Sequence, residues 1–296
     1  MKKLAIFGNR YQQGHFDGLR HFFADLPAKG FKVYLEQDFA SYLSEIGIEV
    51  GDVFIFIVDK FPRGVDCVVS IGGDGTFLQA AQWVGSRETP ILGINTGHLG
   101  FLASYSLEDT DELLTVVANG LGRVERRAVI EVACDAMPEG FWPYALNEVA
   151  VLKGDSASMV NVNAEIDGYF LADYMSDGLV VATPTGSTAY NLSLGGPILQ
   201  PTLSCLILSP IAAHSLTMRP LVVSGDSRIV LTARSRTREC RVSLDGRSFL
   251  IDSGESLILK EAPFKVGVMR RPDSNFSRLL RNKLGWGRGP TDKITE

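Results

Sequence analysis

The chain has 296 residues, of which 45% are hydrophobic and 21% are charged, with a net charge of −5. This length and composition are typical of a globular protein with a substantial core, in two domains or one large one. The negative charge argues against general nucleic-acid binding, which requires a basic surface, but it permits a small anionic ligand in a local site.

The first residues, MKKLAIFGNR, contain too short an apolar run for a signal peptide and predict a strand over 3–8. No apolar run reaches transmembrane length. The four cysteines form no CxxC pair, which favours free thiols in a reducing compartment. We therefore expect a cytoplasmic protein that binds no membrane.

The first part of the chain alternates strand-like and helix-like segments. Further strands are predicted over 31–36, 66–72 and 90–97, and helices over 18–30, from Thr76 onward and over 107–120. This βαβ order predicts a Rossmann-like α/β domain over 1–122, with a mostly parallel sheet. Ligands on such sheets gather at the carboxyl ends of strands, where GGDGT (72–76) and NTGHLGF (95–101) lie.

From Arg123 onward, the pattern changes to long strands that are separated by Asp-Gly, Ser-Gly-Asp and Pro-containing turns. It predicts an all-β domain, a β-sandwich, over 123–272. Its predicted strands cover 123–134, 141–153, 159–174, 219–234, 238–251 and 255–270. The C-terminal segment, 273–296, has helical apolar spacing up to residue 287. We expect it to pack back on the first domain, with its last residues disordered.

The motif GGDGT places one carboxylate, Asp74, among three glycines between a predicted strand and a predicted helix. One interpretation is a simple turn, since Asp-Gly is a common turn signal. The other is a phosphate cradle, because small residues let a phosphate approach the backbone while Asp74 acts as a base. The usual nucleotide motifs, GxxxxGK[ST] and GxGxxG, do not occur in the chain.

Two further polar clusters lie in the second part of the chain. Asn147 and Glu148 interrupt an apolar strand, where one of the two must face inward and needs a partner, unless the strand is a solvent-exposed edge. The stretch 176–197, SDGLVVATPTGSTAYNLSLGGP, offers hydroxyls, backbone amides and an aromatic ring for phosphate, ribose and base. The alternative is a Ser/Thr/Gly turn. Asp245-Gly246-Arg247 indicates a hairpin turn.

Together, GGDGT, the Asn147–Glu148 pair and DGLVVATPTGSTAYNLSLGGPIL (177–199) resemble the NAD kinase family in its bacterial form, from about residue 1 to residue 287. GGDGT alone is shared with phosphofructokinases and lipid kinases, whereas TPTGSTAY is highly specific. The resemblance implies an α/β N-terminal domain, a β-sandwich C-terminal domain, an active site between them, and a homodimer or homotetramer. It implies transfer of the γ-phosphoryl group of ATP to the 2′-hydroxyl of the adenosine ribose of NAD, with Mg²⁺ bridging the phosphates of ATP and no all-protein metal site.

The resemblance also implies residue roles. Asp74 is the general base, and the residues that bind the phosphates of ATP are Gly72, Gly73, Gly75 and Thr76. Asn147 and Glu148 bind the adenosine ribose, and Asp177 binds the nicotinamide end of NAD from the same or a neighbouring subunit. The other residues implied to bind NAD are Gly75, Phe101, Thr188, Ala189, Tyr190, Asn191, Leu192, Ser193 and Arg247, with Tyr190 near the adenine ring.

Two positions depart from the family pattern: Met175 stands where a basic residue is common, and Arg247 stands where Gln is common. Two rival functions are a lipid or sugar kinase that uses GGDGT, and a non-catalytic NAD sensor. The TPTGSTAY segment argues against the first, and the intact Asp74 argues against the second.

Overall fold

A computed structural model of the chain describes residues 1–10, 12, 14–97, 100–154, 158–236 and 238–287. The chain divides into two compact units. The first contains residues 1–125 and the C-terminal segment from Val266 onward, and the second contains Arg126–Lys265. Among the described residues, no helix is both long enough and apolar enough to cross a membrane.

The first unit is built on an eight-stranded sheet in the order β3-β2-β1-β4-β5-β20-β7, with β6 beside β5. All the strand pairs from β3 to β20 along this order, and the β5–β6 pair, are parallel. The strands are β1 Lys3–Gly8, β2 Lys32–Glu36, β3 Phe54–Phe56, β4 Cys67–Ile71, β5 Ile91–Asn95, β6 Tyr105–Ser106, β7 Arg123–Arg127 and β20 Val266–Arg270. The central strands β4 and β5 are buried along their whole length, as strands covered on both faces require.

The helices of the first unit are α1 Phe16–Asp25, α2 Gln37–Glu45, α3 Asp74–Val84, α4 Thr110–Asn119 and α6 Phe276–Leu284. Short 3₁₀ helices cover Pro27–Lys29, Val58–Lys60, Gly85–Arg87 and Leu107–Asp109. The apolar faces of α1, α2 and α4 join the sheet in one core that includes Leu19 and Phe22 of α1, Phe39 of α2 and Leu113 of α4. The sheet and these helices therefore form one α/β unit, which contains the β4–α3 turn.

The second unit contains two six-stranded antiparallel sheets. One has the order β15-β14-β13-β10-β17-β18, and the other has the order β12-β11-β16-β19-β8-β9. The strands are β8 Ile130–Ala133, β9 Tyr144–Ala145, β10 Glu148–Lys153, β11 Val160–Ile166, β12 Tyr169–Ser176, β13 Gly178–Ala182, β14 Cys205–Ile211, β15 Leu221–Ser224, β16 Ile229–Arg234, β17 Glu239–Leu244, β18 Arg247–Asp252 and β19 Ser256–Glu261.

One apolar core joins the two sheets of the second unit. It contains Val149 and Val181 from the first of these sheets and Val162 and Leu231 from the other, all fully buried. The opposite face of the first sheet is also covered, because Ala150 and Val180 pack with Leu194 and Leu199 of the segment that follows TPTGSTAY. TPTGSTAY itself contains a 3₁₀ helix, Gly186–Thr188, and the short helix α5, Tyr190–Ser193, begins at its last residue.

The predicted fold class, an α/β domain and an all-β sandwich domain, is confirmed. Several elements were not predicted: α2 and β3 in the first unit, and β13 and β14 in the second. The α2 helix starts where the Glu36 side chain accepts hydrogen bonds from the backbone N–H groups of Asp38 and Phe39. Glutamate is not among the residue types preferred at a helix N-cap, so the sequence does not indicate this helix start. The β13 and β14 strands are almost entirely apolar and lack the alternation that marks half-buried strands.

The units differ from the predicted domains at both boundaries. The predicted strand over 123–134 is two strands, β7 and β8, and that over 255–270 is also two, β19 and β20. The outer two, β7 and β20, add to the sheet of the first unit, so that residues 123–125 and 266–272 belong there. The assignment of β7 and β20 to the first unit depends on their hydrogen bonds to the edge of its sheet. The residue pattern of a strand does not show which of the two sheets it joins. The predicted disorder of the last residues concerns 288–296, which lie outside the described residues.

The burial of Phe22 generates a stability prediction. Phe22 is fully buried in the core of the first unit, whereas Phe54 of β3 has 53% of its surface exposed. We expect Phe22→Ala to lower the free energy of unfolding by about 3–5 kcal/mol through lost burial and a residual cavity. The control, Phe54→Ala, should cost about 0.5–1 kcal/mol, for the lost contact of its ring with the Lys32 ammonium. Urea denaturation followed by circular dichroism measures both, and equal losses would contradict the assignment of Phe22 to the core.

Candidate active site

The glycine-rich turn 72–76 joins β4 to α3. Gly72 has a φ of 152°, and a Cβ there would collide with the Thr76 hydroxyl and the Asn9 side-chain amide. The Thr76 hydroxyl accepts a hydrogen bond of 3.1 Å from Asn9 Nδ2, and Thr76 is buried. Gly72 and Thr76 therefore pack together on the protein side of the turn. The predicted contact of Thr76 with phosphate stays a prediction.

The other two glycines of the turn face open space. A side chain at Gly73 or Gly75 would meet no described atom within 4 Å. Gly73 is the N-cap of α3, so the first amide N–H groups of the helix lack intrahelical acceptors and carry the positive end of the helix dipole. This arrangement suits the binding of phosphate oxygens by backbone amides.

The Asp74 carboxylate is held at the start of α3 by two backbone amides. Phe101 N–H donates to Oδ2 at 2.9 Å, and Leu102 N–H donates to Oδ1 at 3.2 Å. Gly100 lies so close to the carboxylate that a Cβ would collide with it. Since each carboxylate oxygen has two lone pairs, each can still accept a further hydrogen bond from a ligand.

Arg270 of β20 holds the loop that carries these amides. Its buried guanidinium donates to the carbonyl oxygens of Phe101 (2.8 Å) and Leu102 (3.1 Å) and to Ser104 Oγ (2.7 Å), and it pairs with Glu125. Burial lowers the pKa of Arg270, while the carboxylates of Glu125 and Asp74 oppose that shift. Arg270, some 170 residues further along the chain than the loop, thus acts on Asp74 through residues 101 and 102.

In the second unit, the Asn147–Glu148 pair stands at the start of β10 and is held by a hairpin turn. Asp245 accepts backbone hydrogen bonds from Leu146 (2.6 Å), Asn147 (2.8 Å) and Glu148 (3.1 Å). Asp245 and Gly246 both have positive φ, 48° and 83°, as the two central residues of a tight hairpin turn require. The Asp245-Gly246 turn between β17 and β18 is therefore a hairpin turn, as predicted, and its carboxylate also fixes the backbone of Asn147.

The TPTGSTAY segment folds back onto the same residues. Thr183 N–H donates to the Asn147 carbonyl at 2.8 Å, and Thr183 Oγ1 donates to the Leu146 carbonyl at 2.6 Å. Gly186 lies against the Asn147 backbone so closely that a Cβ would collide with it. These contacts use the main chain of Asn147. Its side-chain amide has no partner among the described residues and is available to bind a ligand.

Glu148 is the second polar residue of this cluster. Its Oε2 is buried and has no hydrogen-bond partner among the described residues, while the carboxylate accepts from the Tyr190 backbone N–H. Burial, and then the nearby Asp245 charge, raise the pKa of Glu148 to about 7, and the Tyr190 amide opposes this shift. A buried oxygen without a partner is expected where a ligand completes the hydrogen bonding.

The residues around Tyr190 that are predicted to bind NAD have different environments. The Tyr190 side chain is exposed, with 39% of its surface accessible, and Ser193 is exposed too, while Thr188, Ala189 and Leu192 are half-buried. Asn191 is buried, and its side chain is used within the fold: Nδ2 donates to the carbonyls of Ser187 and Pro197, and Oδ1 accepts from Ser209 Oγ at 2.7 Å. Asn191 thus holds the segment in shape.

Two other predicted residues lie apart or are already engaged. Asp177 precedes β13, at the opposite end of that strand from Thr183, about 20 Å away at about 3.3 Å per residue. It pairs there with Lys153 at 2.7 Å. The Arg247 guanidinium donates to the carbonyls of Trp142 (2.9 Å) and Tyr144 (2.7 Å). The predicted contacts of Asp177 and Arg247 with NAD stay predictions, as does that of Phe101, whose amide binds Asp74.

Sequence analysis missed Gly100, Arg270 and the capping role of Asp245, and it also missed one cluster of metal-ligand types. His21 and Asp25 of α1 and Asp111 of α4 bring one ligand atom each within 4.8 Å of one another. His21 and Asp111 are exposed, and Asp111 pairs with Lys29 at 3.8 Å. Only the i,i+4 spacing of His21 and Asp25 is visible in the sequence, and the cluster shares no residue with the turn that carries Asp74.

Comparisons with known proteins give matches in both units of the chain. The ATP-NAD kinase N-terminal domain model matches residues 20–121, and the ATP-NAD kinase C-terminal domain model matches residues 146–270. A Porphyromonas gingivalis NAD kinase is 42% identical over 288 residues, covering 97% of this chain and 99% of the relative. A Bacteroides fragilis NAD kinase is 41% identical, covering 96% and 98%.

Two solved structures are similar to this chain. An NAD kinase from Archaeoglobus fulgidus in complex with ATP has a TM-score of 0.71 and 30% identity, covering 94% of this chain and 97% of that one. Yeast NADH kinase complexed with NADH has a TM-score of 0.87 and 23% identity, covering 100% and 90%, and shows the fold alone. Both domain models match in order and the curated relatives align over nearly the whole chain, so this chain belongs to the ATP-NAD kinase family of phosphotransferases.

Proposed function

We propose that this protein transfers the γ-phosphoryl group of ATP to the 2′-hydroxyl of the adenosine ribose of NAD, giving NADP and ADP, with Asp74 as the general base. The observation that carries the proposal is the Asp74 carboxylate, fixed by two backbone amides at the N-terminus of α3 beside a glycine turn with open space in front of it. A hydroxyl is a weak nucleophile, and an aligned carboxylate can take its proton as the new bond to phosphorus forms.

The donor phosphates are assigned to the glycine turn. The amides at the start of α3, together with the open space at Gly73 and Gly75, suit the phosphate chain of ATP. The turn 72–76 contains one carboxylate, Asp74, so the turn itself offers no cage of carboxylates for a metal ion. We therefore assign Mg²⁺ to the phosphate oxygens of ATP, where it would neutralise charge during transfer.

The acceptor is assigned to the cluster in the second unit. Glu148 Oε2 is buried without a partner among the described residues, and the Asn147 side-chain amide is not used in the fold there. A ribose can supply partners to both, since each ribose hydroxyl both donates and accepts hydrogen bonds. The exposed ring of Tyr190 is available for stacking on the adenine, and the half-buried Thr188, Ala189 and Leu192 offer small polar and apolar contacts beside it. This assignment of the acceptor depends on the unpaired Glu148 Oε2 and on the exposed ring of Tyr190.

Asp177 requires a separate explanation, because it lies at the far end of β13 from Asn147. We propose that the chain forms a homodimer or homotetramer and that Asp177 contacts the nicotinamide end of an NAD molecule bound by a neighbouring subunit. Light scattering during size-exclusion chromatography at assay concentration measures the oligomeric state. A monomer with full activity would rule out the role of Asp177 across subunits.

The reaction itself is tested directly. Purified protein with NAD, ATP and Mg²⁺ is expected to produce NADP, measured with an NADP-specific dehydrogenase, and EDTA is expected to stop the production. The absence of NADP above a protein-free control, at saturating NAD and ATP, would overturn the proposed activity. Stabilisation of that inactive protein by NAD in a thermal-shift assay would instead support an NAD sensor.

Asp74→Asn tests the general base. We expect kcat to fall about 10²–10⁴-fold, the range that general-base catalysis contributes. Asparagine has one acceptor oxygen, so one of the two amides from Phe101 and Leu102 also loses its partner, at a cost in stability of about 1–3 kcal/mol. NAD binding, measured by calorimetry, controls for misfolding. A folded variant with kcat within a few-fold of the wild type would leave Asp74 with a purely structural role.

Glu148→Gln tests the raised pKa. The pKa of Glu148 is about 7 in the folded protein against an ordinary value of 4.5, so the ionised Glu148 destabilises the fold. The cost is absent below pH 4.5, grows as the pH rises through about 7 and is then complete, on the order of 3 kcal/mol at 1.36 kcal/mol per pKa unit. The variant should therefore gain thermal stability relative to wild type at pH 8 but not at pH 4.5.

The same variant should bind NAD more weakly at pH 8, because a neutral amide replaces a charged acceptor for the ribose. An exposed carboxylate of the second unit, Asp173, provides the matched control, and Asp173→Asn should change neither quantity. A Glu148→Gln variant that is less stable than wild type at pH 8 would contradict a buried and incompletely bonded carboxylate.

A further inference from the structure

The Lys283 ammonium lacks a hydrogen-bond partner. Lys283 is the penultimate residue of α6, and its Nζ atom is buried with no hydrogen-bond partner among the described residues. The other cations of this helix behave ordinarily, since Arg278 pairs with Asp273 and Arg281 is exposed. A lysine ammonium is almost never buried without a partner, so this group requires an explanation.

Among the described residues, the Asp74 carboxylate and the Arg270 guanidinium are the charged groups that act on the Lys283 ammonium. Burial lowers the pKa of Lys283 to about 8; the Asp74 charge opposes that shift and the Arg270 charge adds to it. Lys283, Asp74 and Arg270 all belong to the first unit. The C-terminal helix therefore brings a third ionisable side chain into the surroundings of the proposed general base.

Neither of these groups supplies an acceptor to Lys283. The Asp74 oxygens accept hydrogen bonds from the amides of Phe101 and Leu102. Arg270 is a cation, and its donors are used by the carbonyls of the same loop and by Glu125. An anion that enters with a substrate is then the partner that would restore the hydrogen bonds of the ammonium.

We propose that Lys283 binds the γ-phosphate oxygens of ATP beside Asp74 and stabilises the phosphoryl group during its transfer. This inference rests on the proposed function. In that reaction the ribose 2′-oxygen forms a bond to the γ-phosphorus while its proton passes to Asp74. The bond from the γ-phosphorus to the β,γ-bridging oxygen breaks, and its electron pair leaves with ADP. The γ-phosphate must therefore lie next to the hydroxyl that Asp74 contacts. This position is close to Asp74 and therefore also in the neighbourhood of Lys283.

The cation has a physical role in this step. Phosphoryl transfer depends mainly on positioning and on neutralising charge on the phosphate oxygens. An ammonium on a flexible stem can follow these oxygens as the phosphorus moves from ADP to the ribose. Lys283 keeps its proton throughout, so that it contacts the reacting group without taking part in the proton transfer.

Lys283→Met removes the charge and keeps a long apolar side chain. We expect kcat/KM for ATP to fall about 10–100-fold, the range for lost hydrogen bonds to a charged group, while the KM for NAD changes little. Stability should be unchanged or higher, because an unpaired buried ammonium is removed. Arg281→Met, the same charge change at an exposed site of α6, is the control and should match the wild type.

Lys283→Arg separates binding of phosphate from a structural role. The affinity of the wild-type protein for Mg²⁺-ATP, measured by calorimetry without NAD, should fall between pH 7 and pH 9 as the free amine loses its proton. The arginine variant stays charged and should lose this pH dependence while regaining at least part of the affinity. Asp74 and Arg270, the charged groups that act on Lys283, are the same in both proteins.

The outcomes distinguish this inference from the proposed function. If the wild type makes NADP and Lys283→Met binds and uses ATP as well as Arg281→Met does, the role of Lys283 is overturned and the kinase activity stands. If the wild type makes no NADP but binds Mg²⁺-ATP in a manner that requires Lys283, the phosphate site stands and the proposed reaction fails. Equal losses for ATP and NAD in Lys283→Met, with a lower melting temperature, would identify a structural lysine and overturn the inference.

Discussion

The hydrogen bonding of one carboxylate organises the candidate active site of the first unit. Asp74 stands at the first position of α3 and accepts the amides of Phe101 and Leu102, so that a helix N-terminus and a distant loop are joined through one side chain. The small Gly100 permits this approach, and Arg270 holds the same loop through its carbonyl oxygens. A carboxylate fixed in this way loses little conformational freedom when a substrate binds, which is what a positioned base requires.

The second unit uses the same chemistry for a different purpose. Asp245 accepts three consecutive backbone amides at residues 146–148 and thereby fixes the main chain of Asn147, while the side chains of Asn147 and Glu148 stay available. Thr183 then takes the Asn147 carbonyl. Because Asp245 and Thr183 satisfy the main chain of Asn147, the Asn147 side chain and Glu148 Oε2 can serve a ligand.

Two groups share one energetic property: Glu148 and Lys283 are ionisable, partly buried and incompletely hydrogen-bonded among the described residues. Burial shifts both pKa values towards neutrality, to about 7 for Glu148 and about 8 for Lys283. Each group therefore lowers the stability of the protein without ligand at a pH where it is charged. Such groups gain most from a substrate that supplies the missing partner, and functional sites commonly contain them.

The sequence by itself determined the fold class and the local motifs, because strand and helix periodicity and turn chemistry depend on neighbouring residues. It also predicted binding or catalytic roles for Asp74, Asn147, Glu148 and Tyr190, which stand in short and distinctive patterns. Only the tertiary structure decided which distant residues meet: Gly100 and Arg270 at Asp74, Asp245 at Asn147, and Lys283 near the proposed base. It also decided that Asn191 and Arg247 are used inside the fold and that Asp177 lies at the far end of its strand. A residue type states which hydrogen bonds a side chain can form, and the packing of distant segments determines which of them are still available to a ligand.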